Sequence, residues 1–91
     1  MIYTVTFAPK AEHDLAKLRR NEPTAYKKAL RLIAELYEHP KNGTGKPEPL
    51  SANRAGQWSR RITQQHRLIY EIHDDEIVVL VLASYGHYDD K

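Results

Sequence analysis

Tyr3, Val5 and Phe7 alternate with Ile2, Thr4 and Thr6, a period of two in aromatic and β-branched residues that predicts a first strand. After Pro9 the period changes. Ala11, Leu15 and Leu18 follow helical spacing up to the polar exit Arg19-Arg20-Asn21, and a second helical pattern starts at Pro23-Thr24. That second stretch repeats Tyr26, Ala29, Leu30, Ile33, Leu36 and Tyr37 until Pro40 forbids continuation. The short link between the two predicts a helical hairpin. Pro40 to Gly56 reads PKNGTGKPEPLSANRAG, the composition of a loop, and it is longer than a purely structural connector usually is. Alternation then returns. Trp58, Arg60 and Ile62 interleave with Ser59, Arg61 and Thr63, a further strand runs His66 to His73, and Asp74-Asp75 supplies a turn before the apolar run Glu76 to Ser84. A strand apolar on both faces belongs inside a sheet. The predicted class is α+β, in the order β-α-α-β-β-β, with the helical hairpin packed on one face of a mainly antiparallel twisted sheet.

Composition narrows the classes of function. Ninety-one residues with 41% hydrophobic and 29% charged positions read as one globular domain over residues 1–91. The absence of cysteine removes disulfide scaffolds, thiolate nucleophiles and Cys-ligated zinc. The amino terminus lacks the basic flank of a signal peptide, and the longest apolar run, Ile77 to Ala83, falls far short of the ~20 residues that span a bilayer, so no membrane partner and a cytoplasmic location are expected.

The formal net charge of +2 is less telling than its distribution. No acid occurs between Glu48 and Glu71, a window that holds Arg54, Arg60, Arg61, His66 and Arg67. Arginines without carboxylates suit a polyanion such as a phosphate backbone, or equally a sheet kept soluble by snorkelling side chains. RNA cleavage without a metal needs a base for the 2′-hydroxyl, a cation for the phosphorane and an acid for the leaving 5′-oxygen. Glu48, between Pro47 and Pro49, is held on a stiff segment where neither proline can donate to a ladder; alone it also reads as a solvated loop acid. Arg61 and Arg67 are each displaced by one from the apolar series of their strands and can share the solvent face, gripping a phosphate or merely water. His87-Tyr88, just after Gly86, can supply an acid and a stacking ring or be a frayed tail. His73, Asp74, Asp75 and Glu76 are consecutive across a turn and read as hairpin chemistry rather than a metal site, so neither metal nor cofactor is expected. Gly43-Thr44-Gly45-Lys46 lacks the spacing of a P-loop, and no Gly-x-Ser-x-Gly elbow is present.

Gly45-Lys-Pro-Glu-Pro-Leu50, Gly56, Trp58-Ser-Arg-Arg-Ile-Thr63, His66-Arg-Leu-Ile-Tyr70 and His87-Tyr88 together resemble the Txe/YoeB family of bacterial toxins, within the RelE/ParE superfamily. The resemblance implies a toxin of a type II toxin–antitoxin pair that enters the ribosomal A site and cleaves messenger RNA without a metal. Glu48 would be the general base, Arg67 the transition-state cation and His87 the general acid, with Tyr88 ordering the active end. Arg61 would bind backbone phosphate, with Arg60, Arg54 and Lys46 completing the RNA-binding set. The implied partners are the ribosome, messenger RNA and a YefM/Axe-like antitoxin with an acidic carboxy-terminal segment, and a homodimer stays open. The sequence departs from the family at Ser51, where a lysine is frequent, and at the Asp89-Asp90-Lys91 extension. The alternative is a non-catalytic ParE-like inhibitor that binds a protein target such as gyrase.

Overall fold

The computed structural model describes residues 2–50, 56–76 and 78–83, the last segment for its backbone. Among these residues the elements run β1 (Thr4–Phe7), α1 (Pro9–Asn21), α2 (Pro23–Leu36), β2 (Glu48–Pro49), β3 (Gln57–Arg61), β4 (Arg67–His73) and β5 (Val78–Ala83). The α+β class and the helical hairpin expected from the sequence are both present. Each helix opens on a proline at its first position, where the missing N–H is no loss and φ is already helical. Glu22 is the single residue between the helices, and Pro23 bars it from the helical region; its φ of −143° and ψ of 72° break the chain direction.

The helices bury one stripe. Ala11 and Leu18 from α1 and Ala25, Ala29, Leu32, Ile33 and Leu36 from α2 pack against Ile62, just past β3, and Leu68 and Tyr70 of β4. Tyr3, Val5, Phe7, Trp58 and Ile72 lean on the same core, as their alternation predicts. Leu30 and Tyr37, counted above in the helical repeat, are exposed instead. Leu30 lies about 100° round the helix from Ala29 and so misses the buried stripe. No helix among the described residues is long and apolar enough to cross a membrane.

The sheet has the order β1-β5-β4-β3-β2. Only β1 and β5 pair in parallel; the remaining pairs are antiparallel. β5 is therefore flanked on both sides, as its continuous apolar character implied. β4 and β5 change register between Ile69 and Tyr70, so that one residue of β5 is left unopposed.

The two-residue strand β2 corrects the expectation that Pro47-Glu48-Pro49 stands outside any ladder. Glu48 faces Ser59 and Pro49 faces Trp58, at the edge of the sheet. The Leu50 N–H donates to the Gln57 carbonyl at 2.9 Å, which marks that pair as hydrogen-bonded and the next, Pro49 with Trp58, as a pair that needs no N–H. Proline fits there because nothing is asked of it.

Candidate active site

Directly opposed residues of antiparallel strands leave the sheet from the same face. Glu48 opposes Ser59 across β2 and β3, while Ser59 opposes Ile69 and Arg61 opposes Arg67 across β3 and β4. Ser59 and Arg61 are two apart on one strand, so Glu48, Ser59, Arg61, Arg67 and Ile69 all project from one face. That face lies away from the helices: Ile69 is buried yet stands outside the helix-side core. The base and both arginines singled out above are thus brought together, on three adjacent strands. Arg61 is exposed and Arg67 half-buried.

Arg60 does not join them. Its alternation with Arg61 turns it to the helix face, and its side chain is fully buried. All its donors are engaged: Nε bonds Tyr70 Oη (3.1 Å), Nη1 bonds Glu35 Oε1 (2.8 Å) and the Thr44 carbonyl (3.3 Å), and Nη2 bonds the carbonyls of Asn42 (2.8 Å) and His39. A guanidinium has five N–H donors, and here each has an acceptor. The expectation that Arg60 binds RNA phosphate is therefore corrected, because no donor is left and no solvent reaches it.

Arg60 instead orders the segment that leads to Glu48. It ties the end of α2 and the carbonyls of residues 39, 42 and 44 to β3, and Tyr70 Oη adds a bond to the Pro40 carbonyl at 2.7 Å. Glu35 Oε1 also accepts the Thr44 N–H at 2.8 Å. Burial pushes the Glu35 carboxyl up, but the bonds from Thr44 and Arg60 outweigh this and hold it below the ordinary value. Burial pushes the Tyr70 phenol up, against the opposing pull of Arg60. Gly43 is obligatory, since a Cβ there would stand 2.4 Å from Glu35 Oε1 and φ is +115°. Gly45 is equally constrained: its carbonyl accepts the Arg61 N–H at 2.7 Å, and a Cβ would meet the Arg61 carbonyl at 2.9 Å. Lys46 follows with φ of +52° and an exposed side chain. The segment ahead of the two prolines is thus also tied down by a buried arginine.

Arg67 is placed by its neighbour. His66 is buried, and its Nε2 lies 2.7 Å from Glu22 Oε2 at the junction of the helices. The turn before it is closed by Thr63, whose hydroxyl accepts the N–H groups of Gln65 and His66, each at 3.1 Å. Glu22, Glu35, His66 and Tyr70 were not singled out from the sequence as site residues; only the parity of Arg60 with Trp58 and Ile62 hinted at the buried arginine. The turn after β4 is closed by the Glu76 N–H on the His73 carbonyl at 3.1 Å, and Asp74 within it accepts bonds from Tyr3 Oη (2.7 Å) and Lys41 Nζ (3.2 Å). Among the described residues no three His, Asp or Glu side chains are grouped to hold a metal ion. His87, Tyr88 and Arg54 lie outside the described residues.

The profile of the YoeB-like toxin of bacterial type II toxin-antitoxin system matches residues 7–88. The chain belongs to this family. Toxin YoeB of Synechocystis is 38% identical over 84 residues, which cover 92% of this chain and 95% of that protein. The YoeB/ParE toxin from Agrobacterium tumefaciens superposes with a TM-score of 0.86 at 32% identity, covering 93% of this chain and 99% of the other. YoeB from Staphylococcus aureus, 31% identical, matches both as a dimer (TM-score 0.81) and in the YoeB-YefM complex (TM-score 0.79), each covering 97% of this chain and 100% of the other. The YoeB-family chain is therefore a toxin of the type II toxin–antitoxin class, on the RelE/ParE fold, and the face carrying Glu48, Arg61 and Arg67 is its candidate active site.

Proposed function

We propose that this toxin is an endoribonuclease that cleaves messenger RNA in the ribosomal A site without a metal. The observation that carries the reading is the register: Glu48 opposite Ser59 and Arg61 opposite Arg67 put one carboxylate and two guanidinium groups on a single sheet face. Glu48 takes the proton of a 2′-hydroxyl, whose oxygen attacks the adjacent phosphorus. Arg67 stabilises the charge that develops on the phosphorane, and Arg61 holds the phosphate backbone. His87 protonates the departing 5′-oxygen and Tyr88 orders that end of the site, while Lys46 and Arg54 extend the RNA contacts. The products are a 2′,3′-cyclic phosphate and a 5′-hydroxyl. The ribosome supplies orientation, because a few arginines give limited affinity for free RNA.

The toxin works in the cytoplasm and is silenced by a YefM/Axe-like antitoxin whose acidic carboxy-terminal segment folds over the basic face. The S. aureus complex supports such a partner, and the S. aureus dimer supports self-association. Mapping the ends of cut messenger on translating ribosomes tests the mechanism. Cyclic phosphate and 5′-hydroxyl ends are expected; 5′-phosphate ends would mean that water, rather than the 2′-hydroxyl, is the nucleophile.

A further inference from the structure

We propose that Ser59 is a positioning residue for Glu48, an inference that rests on the proposed role of Glu48 as base. Ser59 sits in the middle of β3 with no exposed surface, and its Oγ has no hydrogen-bond partner. Among the described residues no other buried side-chain nitrogen or oxygen is left unpaired. An orphaned buried hydroxyl lowers stability, and alanine would fill nearly the same space without that cost. Sites that trade stability for activity keep such groups.

The surroundings of Ser59 name its acceptor. Across β4 it opposes Ile69, which offers only hydrocarbon; along β3 its same-face neighbours are Arg61, which can only donate, and Gln57, whose amide is engaged with Glu71 on β4 at 3.1 Å. Across β2 it directly opposes Glu48, the one carboxylate among its immediate same-face neighbours. Glu48 is exposed and its side chain makes no hydrogen bond or ion pair among the described residues. A donor without an acceptor and an acceptor without a donor therefore stand directly opposite each other. Their Cβ atoms are about 5.5 Å apart in such a pair, which a glutamate spans by turning its torsions. Catalytic hydrogen bonds are often long in a free enzyme and tighten when substrate arrives. When RNA docks, the Ser59 hydroxyl donates to one carboxylate oxygen of Glu48 and leaves the other aimed at the 2′-hydroxyl.

Single-turnover cleavage on translating ribosomes tests this in the full-length toxin, with Ser59→Ala, Glu48→Gln and the double variant. Ser59→Ala is expected to lower the maximal rate about 10-fold, leave the half-saturating ribosome concentration unchanged and melt no lower than the parent. In the Glu48→Gln background it should cause no further loss, because the hydroxyl acts only through the carboxylate. A parental rate for Ser59→Ala overturns the proposal, as does an equal loss in both backgrounds, which would mark a structural role. A raised half-saturating concentration with an unchanged rate also overturns it, since Ser59 would then contact RNA. If Glu48→Gln itself cuts at the parental rate, the base assignment falls first, an outcome separate from the other three.

Discussion

Arg60 and Arg61 are neighbours in sequence and opposites in the molecule. Arg60 faces the helices, fully buried, with five acceptors around its guanidinium; Arg61 faces the other way, exposed, across from Arg67. The same side chain serves on one face as an internal scaffold and on the other as a cation available to a ligand. The difference lies in desolvation. Arginine withdrawn from water must satisfy every donor, and it then becomes a rigid node; arginine left in water keeps its charge for an incoming anion. The two faces of β3 thus divide the labour, one fixing the loop that bears Glu48 and the other presenting the cations.

Substitutions can break this division at different depths. Arg60→Met should be the most damaging, destabilising the fold by about 3–5 kcal/mol, because it takes the guanidinium donors from three carbonyls and one bond each from Glu35 and Tyr70. Urea unfolding measures it, and a loss below about 1 kcal/mol would show that the clamp is dispensable. Arg67→Ala should leave the urea midpoint near that of the parent and lower cleavage on ribosomes about 10²–10³-fold, the size expected for removing transition-state charge stabilisation. A fully active variant would remove Arg67 from the mechanism. Tyr70→Phe deletes the hydroxyl that joins Arg60 to the Pro40 carbonyl, and about 1–3 kcal/mol of stability should go with it.

Acid should weaken the Arg60 side. The Glu35 carboxyl is held below its ordinary value of 4.5, so its contribution to stability is complete above that pH and fades as pH falls through the lowered value. The stability gap between parent and Glu35→Gln should narrow as pH drops below 4.5, and a gap that stays constant would mean the carboxylate is not held by charge. Smallest of all, Arg61→Ala should change stability by no more than about 0.5 kcal/mol while weakening RNA cleavage, the mirror image of its neighbour.

Much of this architecture follows from short-range pattern. Alternation in Tyr3 to Phe7 and Trp58 to Ile62, helical spacing broken by Pro23 and Pro40, and the displacement of Arg61 and Arg67 from the apolar series place the elements and the faces without reference to anything distant. These features depend on neighbours within a turn or two, and the chain itself states them. The motifs around Glu48, Trp58 and His66 likewise carry the family resemblance. Tertiary structure alone decided what each face meets. Nothing local says that Glu35, twenty-five residues away, closes on Arg60, or that Glu22, forty-four away, meets His66. The edge pairing of Glu48 with Ser59 belongs to the same class, since a loop of prolines and glycines carries no period from which a register can be read. Whether a charged side chain is a ligand or a strut depends on how much water remains around it, and that is fixed only when the whole chain has packed.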